Sequence, residues 1–345
     1  MTGTKIGIDT PWAEPPDVGS AIEVAKGVFW VRLPLPLKLD HVNTYVLDDG
    51  DSWTIVDTGM GSKKTQQIWR DLLDNRFKEK PVGRVIVTHH HPDHIGLAGW
   101  FVSEFQAELW TTRTAWLMAR MLCLDVQETP PPENLEFWRR SGMAQDAIDE
   151  RANEKPFNFA DTVHPIPLGY RRLKQDDMIE IGGRQWQVHI GNGHAPEHAT
   201  LWNHSDDLVL AGDQIISSIS PNLGVYATEP EADPVGEWFE ACGRLSKLAN
   251  AEQLVLSGHK LPFKGLPFRF QQMIENHHSA LERLIAFLDQ PKAASECFQP
   301  LYKRRIGTAE YGLALVEAVA HLNHLYLKGD VQRRLDPDGI YRYQS

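Results

Sequence analysis

Residues 84–97 read RVIVTHHHPDHIGL, and the reading of that stretch decides the fold. The β-branched run Val85-Ile86-Val87-Thr88 signals a buried strand. Four histidines and an aspartate follow it within six positions, 89–94. His89 and His91 stand two apart at the end of an extended segment, so their side chains leave on the same side. His90, between them, is expected to point away. Pro92 restricts the turn that carries Asp93 and His94. Imidazole nitrogens beside a carboxylate are a ligand set for Zn2+, and equally for Fe2+ or Mn2+. The bland alternative is a solvated histidine run, but an affinity tag would sit at a terminus rather than behind a buried strand.

Working outward, the same device recurs. The strand-like RQWQVHI leads into 190–198, IGNGHAPEH, which presents His194 and His198. LVLAGDQ (208–214) presents Asp213, and LVLSGH (254–259) presents His259. Each apolar run ends in glycine plus a ligand-type residue, and glycine lets the backbone come close to a site. Together, HxHxDH at 89–94, Gly-His at 193–194, Gly-Asp at 212–213, Gly-His at 258–259 and the upstream IVDTG with Asp57 resemble the metallo-β-lactamase superfamily of hydrolases. The motifs run in the expected order over about residues 40–260.

That resemblance implies an α/β protein of the metallo-β-lactamase-like αββα sandwich type, two mixed sheets between helical layers with the site at one sheet edge. It also implies roles. His89, His91 and His194 would hold a first ion, and Asp93, His94 and His259 a second. Asp213 would bridge them, and Asp57 would orient ligands beside the ions. His198 lies outside the common ligand set and is expected to support the site rather than touch substrate. Many relatives carry Pro-Gly-His where this chain has Asn192-Gly193-His194, and the spacing from His91 to His194 is longer than usual. Neither departure removes a ligand. Two divalent ions are therefore expected, Zn2+ first, with Fe2+ or Mn2+ as alternatives.

The remaining pattern supplies the frame. GVFWVRLPLP (27–36) and VNTYVLDDGDSWTIVDTG (42–59) read as strands, with DDGD as a turn. Residues 62–75 place Ile68, Leu72 and Leu73 on one helical face behind Ser62 as N-cap. HIGLAGWFVSEF (94–105) suits a helix on a sheet, and AELWTT (107–112) another strand, so layers alternate as in α/β folds. Residues 113–168 break the rhythm with helical TAWLMARMLCL, the turn TPPPEN and a further helix over 136–154. They read as a packed surface insertion, with a substrate lid as the sharper alternative. Strands resume through MIEIGG, RQWQVHI, ATLWNH, DLVLAGD and QLVLSGH. The Pro- and Gly-interrupted KLPFKGLPF then marks a boundary, dividing a catalytic domain at 1–265 from a C-terminal domain at 266–345. The latter holds two amphipathic helices and a terminal hairpin turning at DPDG. It resembles the small helical, winged-helix-like appendage of β-lactamase-like-protein-2 relatives, some of which cleave single-stranded RNA. His277, His278, His321 and His324 there lie on helices without a clustered carboxylate and read as packing residues.

Composition narrows the function. A net charge of −11 opposes a protein built to coat a phosphate backbone. Three widely spaced cysteines, Cys123, Cys242 and Cys297, read as reduced thiols of a cytoplasmic protein. The N-terminus reads as a polar lead-in without a secretory signal, and no apolar run suits a membrane span. The site chemistry is metal-assisted hydrolysis, with Asp93 as the catalytic carboxylate relaying a proton. There is no GxSxG elbow to suggest a covalent nucleophile. A thioester, ester or lactone of a small acyl compound is the first choice of substrate. YKRR (302–305) and VQRR (331–334) keep a single-strand ribonuclease or phosphodiesterase as runner-up, although Glu310, Glu317, Asp330, Asp336 and Asp338 dilute that charge. A metal-bearing sensor with negligible turnover is a third reading, and an oxygen-using iron enzyme is compatible with the ligand types. The apolar tail helices suggest a homodimer.

Overall fold

The first six residues of the lead-in lie outside the described residues; the computed structural model describes residues 7–345. Alternating aromatic and β-branched side chains make β1 (Ala21–Ala25), β2 (Val28–Pro34), β3 (His41–Asp49) and β4 (Ser52–Val56). These pair antiparallel, and β5 (Val82–Ile86), β6 (Glu108–Thr112) and β7 (Arg171–Leu173) extend the sheet in parallel. The parallel steps need crossovers. Helix α1 (Lys63–Asn75) makes the first; the single turn α2 (Pro92–Ile95) and helix α3 (Ala98–Phe105) make the second. Ser62 caps α1 by accepting from the Thr65 N–H at 3.0 Å.

One face of this sheet buries Phe29, Val46, Ile55 and Val85 against Ile68, Trp69 and Leu72 of α1 and Phe101 of α3. The other face, with Trp30, Tyr45, Val56 and Ile86, meets a second sheet through Trp186, Val188, Leu201, Leu210 and Leu256. Trp30 and Trp186 are fully buried, and each such side chain contributes on the order of 2–3 kcal/mol of burial. The second sheet runs β12-β11-β10-β9-β8, from β8 (Met178–Ile181), β9 (Arg184–Gly191), β10 (His198–Asn203), β11 (Leu208–Gly212) and β12 (Leu254–Ser257). Only β11 and β12 are parallel. Both sheets are thus mixed, and the α/β sandwich implied by the resemblance is the architecture found. Among the described residues no helix is long and apolar enough to cross a membrane.

The chain forms two compact units, grouped differently from the division expected at residue 265. The first holds residues up to Val126, with Asn158–Pro221 and Leu245–Arg269; the second holds Gln127–Phe157, Asn222–Arg244 and Phe270–Ser345. Helix α4 (Arg113–Leu124) stays with the first. Of the remaining insertion, α5 (Pro132–Arg140) and α6 (Gln145–Ala152) belong to the second instead, while residues from Asn158 onward return to the first. The reason is hydrogen bonding across long sequence separations. Ser295 donates its N–H to the Ser141 carbonyl at 3.1 Å and its hydroxyl to the Gly142 carbonyl at 2.6 Å. Residues 222–244 follow because Asn323 donates to the carbonyls of Pro230 and Ala232 at 2.9 and 3.1 Å. The single helix read over 136–154 is broken at Gly142, whose φ of 82° ends α5. Helices α7 (Pro234–Leu245), α8 (Leu266–Phe287), α9 (Phe298–Tyr302) and α10 (Tyr311–Lys328), then the hairpin β13 (Gln332–Leu335) and β14 (Tyr341–Gln344), complete the chain.

Candidate metal centre

The site lies where strands of both sheets end. His89 and His91 follow β5, Asp93 and His94 sit on α2, His194 lies between β9 and β10, and Asp213 and His259 follow β11 and β12. Three groups of donor atoms come together: His89, His91 and His194; Asp93, His94 and His259; and His89, His94 and Asp213, each within 4.8 Å. The Asp213 carboxylate faces both sides. Its Oδ2 is 3.5 Å from His194 Nε2 and 3.1 Å from His259 Nε2, and its Oδ1 is 3.4 Å from His94 Nε2. Asp93 Oδ2 lies 3.4 Å from His259 Nε2 and 3.7 Å from His94 Nε2.

A buried hydrogen-bond frame holds these groups. Asp57, at the end of β4 with a left-handed φ of 59°, accepts from the Thr88 N–H (2.8 Å), the Thr88 hydroxyl (2.9 Å) and His94 Nδ1 (2.8 Å). Thr88 also contacts His89 Nδ1 at 2.9 Å. His198 is fully buried; its ring stacks on His89 at 4.5 Å, and its Nε2 accepts from the Asp213 N–H at 3.1 Å. It underlies the ligands and offers no face to a substrate. His90 turns aside, stacked on Phe159 at 6.4 Å. Two glycines are required by close approach. A Cβ on Gly258 would come 2.2 Å from Asp213 Oδ1, and one on Gly212, with φ 49°, would come 2.6 Å from His198 Cε1.

The electrostatics divide the site. Burial, reinforced by neighbouring imidazoles, holds His89 and His91 well below the usual histidine range, so both are neutral with lone pairs available. Burial likewise lowers His198 to about 3. At His259 burial opposes the charge, yet Asp213 and Asp93 outweigh it and raise the pKa to about 10. His94 is raised in the same way, against burial, by Asp213, Asp93 and Asp57. Such a carboxylate-rich cavity demands positive charge. The donor set fits divalent ions on a second count. His94 Nε2 and Asp213 Oδ1 are buried, 3.4 Å apart, and neither makes a hydrogen bond. Leaving such atoms unsatisfied costs about 1–3 kcal/mol each, and a shared cation satisfies both.

Sequence reading missed a second ring of residues. His41, Asn43 and Tyr45 alternate along β3, all buried, and all bond to the 257–260 loop that carries His259. The signal was present as polar residues at period two in an apolar strand. In the second unit, His277 and His321 pair at 3.2 Å and His324 meets Asp233 at 3.0 Å; these residues form none of the three donor groups found among the described residues.

Sheets, strand-end ligands and glycines together define a metal-dependent hydrolase, and the chain belongs to the metallo-beta-lactamase superfamily, whose family model matches residues 37–259. A model of the metallo-beta-lactamase-like C-terminal domain matches residues 281–345. Over 324 residues the chain is 23% identical to the Bacillus subtilis protein named "Probable metallo-hydrolase YqjP", covering 91% of this chain and 97% of that one. Among solved structures it is similar to a beta-lactamase domain protein from Burkholderia ambifaria, at 34% identity and a TM-score of 0.89 over 98% of both chains. A metallo-beta-lactamase family protein from Thermus thermophilus matches at 27% identity and a TM-score of 0.77, over 93% of this chain and 99% of that one.

Proposed function

We propose that this hydrolase works with two divalent ions, Zn2+ foremost, on the thioester, ester or lactone bond of a small acyl compound. The observation that carries the two-ion reading is Asp213, whose carboxylate faces donors of both groups, with His94 Nε2 and its own Oδ1 lacking hydrogen bonds. Ions bound there supply a water ionised near neutral pH and a Lewis acid for the substrate oxygen. His89, His91 and His194 would hold one ion, and Asp93, His94 and His259 the other. Asp57 and Thr88 keep His94 and His89 turned inward. Asp93 is the more exposed of the two aspartates, at 18% against 8% for Asp213. It is therefore the carboxylate placed to accept a hydrogen bond from the attacking water and return a proton to the leaving group.

For the substrate, the support comes from charge. Three of the four arginines in the two stretches that suggested phosphate contacts are paired: Arg304 with Glu310 at 2.7 Å, Arg333 with Glu231 at 2.7 Å, and Arg334 with Asp336 at 2.8 Å. A basic track for nucleic acid needs such groups unspent. The free cysteines, Cys242 and Cys297 buried among them, support a reducing, cytoplasmic setting. The test is a panel of thioesters, esters, lactones and single-stranded RNA offered to metal-loaded protein. Turnover of an acyl substrate is expected, with Asp93→Ala lowering kcat by about 10²- to 10⁴-fold. Turnover of RNA alone would replace the substrate class, and undiminished activity in Asp93→Ala would refute the proton relay.

A further inference from the structure

His259 enters the site on the loop that follows β12. Lys260, directly after it, has a φ of 66°, a left-handed state that a lysine adopts only where its surroundings impose it. What imposes it is β3. The Lys260 N–H donates to His41 Nε2 at 2.9 Å, and Asn43 Nδ2 donates to the Lys260 carbonyl at 2.7 Å and the Ser257 carbonyl at 3.0 Å. Because a backbone N–H can only donate, His41 Nε2 must carry the lone pair. The ring proton therefore sits on Nδ1, which donates to Asp40 Oδ1 at 2.6 Å. This fixes the tautomer of His41 without reference to pH. The carbonyl of the same residue accepts from His259 Nδ1 at 2.7 Å. That bond commits Nδ1 and turns Nε2 towards Asp213 and Asp93, at 3.1 and 3.4 Å, as the one ring nitrogen that could meet an ion.

We propose that His41, backed by Asp40, is a positioning residue for His259, setting its ring through the His41 carbonyl and its backbone through the His41 imidazole. Elsewhere in the site a side chain does this task, Asp57 for His94 and Thr88 for His89. Here one buried residue, 4% exposed, grips the ligand from both ends. The effect is local to one half of the centre, because His89, His91 and His194 make none of these bonds. The inference rests on the two-ion reading proposed above.

The test is a Zn2+ titration of the full-length protein in competition with a chromogenic chelator, resolving the two equivalents. Wild type is expected to bind two. His41→Ala should weaken one equivalent about 10- to 100-fold, the range for losing a partner that orients a ligand, and leave the other within about twofold. His41→Gln, whose Oε1 can accept from the Lys260 N–H, should recover most of the loss; a merely structural role would not produce that split or that rescue. Asp40→Ala changes a side chain that is 81% exposed, and should weaken the same equivalent several-fold. Equal weakening of both equivalents, or no weakening in either variant, would overturn the inference while two equivalents in wild type leave the two-ion reading standing. A single equivalent in wild type would overturn both.

Discussion

Gly258 offers the sharpest probe of how tightly the centre is built. Its φ lies outside the left-handed region, so alanine there carries no backbone penalty and any effect comes from one added methyl group. That methyl carbon would stand 2.2 Å from Asp213 Oδ1 and 2.7 Å from His94 Cε1. Ordinary contact begins near 3.4 Å, so the carboxylate and the backbone must separate by about 1.2 Å, the difference between that figure and 2.2 Å. The backbone cannot yield easily. The Gly258 N–H is bonded to the Gly212 carbonyl at 2.7 Å, and its own carbonyl accepts from the Asn43 N–H at 2.7 Å. Asp213 is therefore the group displaced, and a misplacement of about 1 Å costs about 100-fold in rate, or about 2.7 kcal/mol at 1.36 kcal/mol per decade. Gly258→Ala is expected to lower kcat/KM by that factor on whichever substrate of the panel wild type turns over, with reduced metal content by elemental analysis and a far-UV spectrum matching wild type. A folded variant whose kcat/KM and metal content both stay within about threefold of wild type would refute the packing argument.

Other expectations concern stability. Asp57→Ala strips the buried Thr88 N–H and His94 Nδ1 of their acceptor and should cost about 3–5 kcal/mol, read as a lower urea midpoint for metal-free protein; a loss below about 1 kcal/mol would argue against the frame described. In the second unit, burial lowers His277 to about 3 and His321 to about 4. An unfolded histidine titrates near 6.5, so between about pH 4 and 6.5 the unfolded state binds more protons than the native one, and stability falls as pH drops through that window. Replacing one member of the buried pair, His277→Phe, should flatten the decline in melting temperature between pH 7 and pH 5. Parallel declines in variant and wild type would show that the pair does not report on acid stability.

What the sequence revealed and what it hid have separable causes. Strand ends bearing Gly-His or Gly-Asp were legible because a local pattern, an apolar run closed by a small residue and a ligand type, already specifies strand, turn and chemistry together. Helix α1 was legible through Ser62 and the spacing of Ile68, Leu72 and Leu73. By contrast, β7 is a three-residue edge, Arg171–Leu173, too short for periodicity to register, and it exists only because β6 offers it partners. The grouping of α5 and α6 with the C-terminal helices depends on Ser141 and Gly142 meeting Ser295, contacts more than 150 residues apart that no window can contain. His41 was overlooked for a related reason. Its chemistry appears only once the loop after β12 folds back onto β3, turning a polar residue in an apolar strand into the partner of His259 and Lys260.

Whether two cations bind at these strand ends is tested most directly by anomalous diffraction at the zinc edge from crystals of metal-loaded protein. The account predicts two peaks, one among His89, His91 and His194 and one among Asp93, His94 and His259, with Asp213 reaching both. A single peak, or none with the donor atoms hydrogen-bonded to one another, would contradict it.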